Sequence, residues 1–165
     1  MDIRPEHAKD MEAIRSLTKA AFAPVEYSSQ TEAEIVDALR QAGVLTISLV
    51  AVTGGEVIGH IAFSPVTVDG KDIGWFGLGP VSVRPDRQGR GIGDRLVREG
   101  LSRLRQTGAK GCVVLGDPGY YKRFGFENDA ALVLEGVPQE YFMRLVFDGE
   151  APLGQVAYHD GFNAG

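Results

Sequence analysis

The sequence predicts an α/β (α+β) fold: a single mixed, mostly antiparallel sheet with helices on both faces. Three observations carry this. Two glycine-bearing turns, Gly54-Gly55 and Asp69-Gly70, join runs rich in aliphatic and β-branched residues and read as hairpins. One strand–helix–strand unit comes next, built around the glycine-rich stretch Gln88-Gly89-Arg90-Gly91-Ile92-Gly93. Two helical stripes precede the hairpins, so helices and strands share one chain short enough for a single domain spanning residues 1–165.

In order, Ile3-Arg4 is a short strand ended by Pro5. From Glu6 to Ala23 the residues Met11, Ile14, Leu17, Ala21 and Phe22 recur at helical spacing, and Pro24 closes the segment. Val25 to Gln30 is a polar loop carrying Glu26 and Tyr27. Thr31 with Glu34 predicts a capping box for a second helix, with Ile35, Val36 and Leu39 buried and Gly43 as its stop. Strands are expected over Leu45–Val52, Val57–Val68 and Ile73–Val83, the last interrupted by Gly77, Gly79 and Pro80 as at a bulge or a close backbone approach. After the glycine loop, Ile92, Leu96, Val97, Leu101 and Leu104 form one apolar helix face ending at Gly108. Cys112–Leu115 is a continuously apolar strand, which gives a βαβ unit with a parallel pair. A short helix over Tyr120–Phe124 and short antiparallel strands at Ala131–Leu134, Phe142–Phe147 and Gln155–Tyr158 complete the chain.

The glycine loop carries the chemistry. Pro85 cannot continue a strand ladder, so the strand ends near Arg84, and three glycines leave backbone amides bare at a helix N-terminus. Unpaired N–H groups and the positive end of the helix dipole form a seat for phosphate or pyrophosphate. Between Arg84 and Arg105 seven arginines stand against Asp86, Asp94 and Glu99, a local +4 in a chain of net charge −5, so the remainder carries −9. Such a strip suits a small polyanion better than nucleic acid or an anionic membrane, and neither of those is expected as a partner. A nucleoside-triphosphate loop would need Lys-Ser or Lys-Thr after the last glycine, where Asp94-Arg95 stands. A dinucleotide fingerprint would need glycine where Asp94 stands, although Asp117 occupies a place open to a ribose-binding acid.

These residues carry a resemblance. Gln88 to Gly93 resembles the acetyl-coenzyme A loop of the GNAT superfamily of N-acetyltransferases. Val83-x-Pro85 before it and Tyr121-x-x-Phe124-Gly125-Phe126 after it are similar to the same family at the expected separation. Ser48-Leu49-Val50-Ala51, Gly59-His60, Leu78-Gly79-Pro80 and Leu115-Gly116-Asp117-Pro118-x-Tyr120-Tyr121 resemble a bacterial branch of its predicted N-acetyltransferases, and the likeness spans nearly the whole chain. The resemblance implies acetyl-CoA as co-substrate and a central parallel pair that splays to admit the pantetheine arm. It implies that backbone groups of Val81, Ser82 and Val83 line the arm, and that amides of Gln88, Gly89, Arg90, Gly91, Ile92 and Gly93, with Asp94 beginning the helix, hold the pyrophosphate. Arg84, Arg87 or Arg90 would meet the 3′-phosphate, and Tyr121 would serve the departing thiolate. A small-molecule or peptide amine is the implied acceptor.

Glu26, Glu34, His60 and Asp117 are all candidates for a general base, as is a water chain, and the sequence singles out none. An acyl-CoA sensor without turnover and a dinucleotide-binding protein stay open as alternatives. Cys112, alone of its kind, excludes an internal disulfide and reads as core; Trp75 and Phe76 also read as core. His7, His60 and His159 lack metal-ligand spacing, so no metal is expected. With no apolar stretch of 18 residues and no basic, apolar N-terminal leader, a cytoplasmic protein, monomeric or homodimeric, is expected.

Overall fold

Residues 1–164, which the computed structural model describes, open with β1 (Asp2–Pro5), a 3-10 turn at Ala8–Asp10, α1 (Met11–Phe22) and α2 (Glu32–Gln41). The hairpins then deliver β2 (Ile47–Thr53), β3 (Glu56–Val68) and β4 (Trp75–Val83). Gly54 and Gly55 at φ 56° and 78°, and Asp69 and Gly70 at 51° and 79°, take the doubly positive φ that lets a two-residue turn match the strand twist. After the glycine loop come α3 (Ile92–Gln106), β5 (Gly111–Leu115) and α4 (Pro118–Tyr121), which runs on into a 3-10 turn. Three short strands end the chain: β6 (Leu132–Leu134), β7 (Phe142–Val146) and β8 (Gly154–Tyr158).

The strand order is β1-β2-β3-β4-β5-β7, with β8 paired to the far end of β3 and β6 paired to β8. Among the described residues only β4–β5 and β6–β8 pair in parallel. The second of these corrects the sequence reading of antiparallel C-terminal strands. A three-residue strand has no alternation long enough to report which neighbour it will find.

Helices cover both faces because β2 and β3 alternate. Leu49, Ala51, Ile61 and Phe63 pack against Leu96, Val97, Leu101 and Leu104 of α3, whereas Val50 packs with Ile14 of α1 and Val36 of α2 on the other side. Ile35, Val36 and Leu39 form the buried stripe of α2 as expected. The capping box does not form. Thr31 Oγ1 meets Ser29 Oγ at 2.6 Å, and Glu34 turns to Arg15 at 3.2 Å. The strand expected from Ile73 starts at Trp75, because Asp72 accepts from the Gly74 amide at 3.1 Å and holds a turn there. Trp75 and Cys112 are fully enclosed, as their core reading requires. Among the described residues no helix is long and apolar enough to cross a membrane.

The central parallel pair is brief. Trp75, Phe76 and Gly77 of β4 pair with Gly111, Cys112 and Val113 of β5, and there the ladder stops. On its other side β4 continues along β3 through an irregularity: Leu78 opposes Phe63 and Val81 opposes Ile61, so Gly79 and Pro80 stand against Ala62 alone. This is a β-bulge, which bends its strand and increases local twist. Gly79, at φ 135°, takes a conformation that only glycine adopts readily. β4 therefore swings away from β5 while keeping β3.

α3 lies close on the sheet because Gly100 lets it: a Cβ there would run into the ring of Phe63. Alanine would gain about 1 kcal/mol of helix propensity at this position. Crowding a packed core costs typically 1–3 kcal/mol. Gly100→Ala is therefore expected to lower the urea midpoint despite its better helix propensity; a raised midpoint would mean that Phe63 yields freely.

Candidate functional site

Where β4 leaves β5, an edge of backbone opens. The Arg84 amide donates to the Ile58 carbonyl at 2.8 Å, and Ser82 stands opposite His60, which directs the backbone groups of residues 82 and 84 toward β3. By the alternation of an antiparallel ladder, the N–H and C=O of Val81 and Val83 point the other way, into the split. The Val83 carbonyl is taken by Gln88 Nε2 at 3.0 Å, which ties the glycine loop to the strand end. Ser82 is set apart from its neighbours: its backbone serves the ladder, and its hydroxyl is buried on the opposite face.

Beyond Val83, Pro85–Arg87 make a 3-10 turn and Gln88 to Gly91 run exposed to the start of α3. Gly89 and Gly91 hold φ of 78° and 80°, and Gly91 is the N-cap, with no side chain capping the helix. The first turn of α3 thus presents its amides outward, in the geometry that binds anions. Ile92 anchors this turn by burying its side chain in the core. Arg84 is occupied elsewhere, bonded to Asp86 at 2.7 Å and Glu56 at 2.9 Å. Of the three arginines considered for a 3′-phosphate, Arg87 and Arg90 remain, with Arg90 exposed.

Across the split, Asp117 caps α4 by accepting from the Gly119 amide at 2.9 Å. That answers its presence at the end of β5 without a ribose. The adjacent tyrosines have separate tasks. Tyr120 donates its hydroxyl to Asp94 Oδ1 at 2.8 Å, and Arg123 stacks on the Tyr120 ring at 4.5 Å while reaching Asp94 Oδ2 at 3.3 Å. This latch joins α4 to the first turn of α3, and sequence reasoning missed it because its partners lie a whole βαβ unit apart. Tyr121 is held by its ring, which lies over Gly116 and meets Phe126 edge-on at 6.0 Å and Tyr120 at 5.0 Å. Burial, with a smaller push from Cys112, raises the Tyr121 phenol to about 12, so it stays protonated at neutral pH. Tyr121 and the side chains of Val81 and Val83 all pack against the α3-side core, while the valines' free backbone groups point into the split in the plane of the sheet.

Under α1 and α2, on the other face, lies a polar chain drawn from four elements. Arg40 grips Glu6 with two bonds of 2.9 Å, and Ser48 donates to Glu6 Oε1. His60 Nε2 lies 2.8 Å from Ser48 Oγ and 4.0 Å from Glu6 Oε1. Burial presses His60 down to about 4, with Glu6 pulling the other way and Arg40 adding to the fall. Burial would raise Glu6, but hydrogen bonds from Arg40 and Ser48 leave it lowered. Glu26 is exposed on the α1–α2 loop and Glu34 is bound to Arg15, so neither belongs to this chain. Among the described residues no group of three or more His, Cys, Asp and Glu is placed to hold a metal ion.

Comparison with known proteins agrees with this geometry. Residues 2–128 match the family model of the acetyltransferase (GNAT) domain. The uncharacterized N-acetyltransferase YhbS of Escherichia coli K12 is 38% identical over 170 residues, covering 99% of both chains. The crystal structure of a GNAT family acetyltransferase from Brucella melitensis in complex with acetyl-CoA superposes with a TM-score of 0.88 at 56% identity, over 98% of this chain and 97% of that one. The structure of E. coli YhbS in complex with CoA superposes with a TM-score of 0.90 at 37% identity, over 98% and 91%.

The His60 environment sets an acid limit on stability. The unfolded chain takes up a proton near pH 6.5, whereas the folded chain resists until about pH 4, so stability is full above 6.5 and is lost as the pH falls toward 4. The loss is on the order of 3 kcal/mol. Urea unfolding at intervals between pH 7 and 4 is expected to show this slope, and His60→Asn to flatten it. An equal slope in both proteins would place the acid sensitivity elsewhere.

Proposed function

This chain belongs to the GNAT acetyltransferase family, and from that premise we propose that it moves an acetyl group from acetyl-CoA to a primary amine by direct attack in a ternary complex. The whole chain, residues 1–165, acts as one N-acetyltransferase domain. The observation that carries this reading is the continuity of the open β4 edge with the uncapped first turn of α3. An arm bearing amides pairs with Val81 and Val83 as a further strand would, and its pyrophosphate lies on the amides of Gln88 to Asp94. The acetyl-CoA and CoA held by the two similar proteins support it. The Tyr120–Asp94–Arg123 latch answers the Asp94 carboxylate, so its negative charge is compensated beside the pyrophosphate seat. Ser82, whose backbone faces β3, is not part of this cradle.

Proton accounting assigns the roles. An alkyl ammonium must lose one proton to expose its lone pair, and its nitrogen then attacks the thioester carbonyl. The tetrahedral adduct loses a second proton as the C–S bond breaks, so one proton ends on the CoA thiol and one leaves for solvent. Tyr121 stands with its phenol at about 12, whereas a free thiol titrates near 8.5. Full transfer from phenol to thiolate is then uphill by roughly 5 kcal/mol. Tyr121 therefore acts by donating a strong hydrogen bond to the developing thiolate, and the proton that stays on sulfur comes from the adduct nitrogen.

Two variants separate chemistry from binding. Tyr121→Phe is expected to lower kcat by about 10²–10³-fold, as loss of one donor to a developing anion does. Its Kd for acetyl-CoA should stay near that of the parent, both read by thiol release and calorimetry across a panel of amines. Unchanged turnover would remove the role given to Tyr121. Gly91→Ala forces alanine into left-handed backbone at φ 80°. At a cost of ~1–2 kcal/mol, this is expected to weaken acetyl-CoA binding about 5–30-fold. Tight binding of acetyl-CoA with no thiol release on any amine would favour the sensor reading instead.

A further inference from the structure

Acetyl transfer by this route releases one proton to solvent per turnover, from an ammonium that at pH 7 is neutral in only about one molecule in 2,500. Three buried polar atoms mark where that proton can go. Among the described residues His60 Nδ1, Ser82 Oγ and Ser64 Oγ have no hydrogen-bond partner. His60 and Ser64 are fully enclosed, and Ser82 is 2% exposed. They lie on one face of neighbouring strands, with His60 directly opposite Ser82 and Ser64 opposite Gly77, on either side of the β4 bulge. Directly opposed side chains have Cβ atoms about 4.5–5.5 Å apart, a span one water bridges. Leaving such atoms unpaired would cost about 1–3 kcal/mol each, so internal water is the partner their chemistry calls for.

The hydrogen bonds around His60 fix its tautomer. Ser48 has one hydroxyl hydrogen and gives it to the Glu6 carboxylate, which can only accept. Ser48 Oγ must therefore accept from His60, which makes Nε2 the protonated nitrogen and leaves Nδ1 a free lone pair. The charged groups facing His60 are Glu6, 4.0 Å from Nε2, and Arg40 behind it, itself held by Asp37 at 3.3 Å. Ser48 and Ser82 present hydroxyls. Glu6 keeps 17% of its side chain exposed and so reaches solvent.

We infer that Ser82, His60, Ser48 and Glu6 form a relay that carries the amine proton from the β4 bulge to the surface. This rests on the transfer reading proposed for the site. In one concerted step the ammonium N–H bond breaks and its proton passes through water, and through the Ser82 hydroxyl, to His60 Nδ1. The Nε2 proton moves to Ser48 Oγ, and the Ser48 hydroxyl proton moves to Glu6, which returns it to bulk water. His60 stays neutral and exchanges tautomers. Once the product has left, the reverse shift restores the resting ring, the Nδ1 proton leaving through the vacated site as Nε2 takes one back from Glu6 through Ser48. One proton in all thus reaches solvent per turnover. His60 and its serines thus act on the substrate through water, while Tyr121 serves the thiolate on the opposite face.

The test has two arms. Nitrogen-15 NMR of the parent protein reads the imidazole directly: a neutral ring protonated at Nε2 between pH 6 and 8 is expected, and a proton on Nδ1 would overturn the relay. Rate–pH profiles then compare parent, His60→Gln and Ser82→Ala on an amine found by the thiol-release assay. The expected result for His60→Gln is a kcat lower by about 10²-fold at pH 7. The loss should shrink as pH approaches the amine's own pKa near 10.4, where the amine arrives neutral. Ser82→Ala, which leaves the ring in place, should shift the profile the same way by less. Profiles parallel to the parent's in both variants, with acetyl-CoA affinity unchanged, would end the relay alone. A parent protein that turns over no amine would end the transfer reading and the relay with it.

Discussion

Three residues of parallel pairing, Trp75 to Gly77 against Gly111 to Val113, hold the two halves of the sheet together, and the cleft exists because the strands part beyond them. Strands that diverge leave polar backbone exposed to a cleft, and such groups need partners. β5 stays paired through to Leu115 with β7 on its far side, as β4 stays paired with β3. The edges of the two strands that face each other are therefore left open beyond Gly77 and Val113. The bulge at Gly79-Pro80 thus converts what would be internal ladder into a surface ready to accept a strand-like ligand. The energy that a closed sheet would gain there is held back for binding.

The loop and the cleft are mutually dependent. Gln88 bonds back to the Val83 carbonyl, Ile92 is rooted in the core, and Asp94 is bound from across the split by Tyr120 and Arg123. The anion seat is therefore fixed relative to α4 by a hydrogen bond and an ion pair, and Tyr121 sits next to Tyr120 in the same turn. The turn that carries Tyr121 is thereby anchored to the seat before any ligand arrives. Such preorganisation lowers the entropy lost on reaching the reactive geometry.

Much of this was legible in the residues because it is local. Gly54-Gly55, Asp69-Gly70 and the Gly89/Gly91 loop announce their backbone conformations by composition, and the α3 stripe repeats long enough to identify its buried face. The interruption at Gly77 to Pro80 was visible too, although its effect on β5 was not, since that depends on a partner more than thirty residues away. Thr31 and Glu34 show the opposite failure: the local pattern was present, but Ser29 and Arg15 offered their side chains other partners. The chain from Arg40 through Glu6 and Ser48 to His60 left no sequence signal. Its members come from α2, the turn after β1, β2 and β3, and only the folded sheet makes them neighbours.

The bulge also acts as a change of parity. Up to Leu78 the even-numbered residues of β4 face α3, as Phe76 and Leu78 do; past it Val81 and Val83 take that side and Ser82 the other. Two residues standing where the partner strand has one exchange inside for outside along the rest of the strand. The same chain paired one to one, without the bulge, would drive the Ser82 hydroxyl into the aliphatic layer under α3 and turn Val81 and Val83 toward His60. It would also rotate their amides out of the cleft and into the ladder. The order of residues after Pro80 is therefore written for a bulged strand, its valines and serine reaching their proper faces only through that two-against-one count. A one-residue slip of register past this point would close the open edge and break the polar chain behind it at a single stroke, with the sequence itself unchanged.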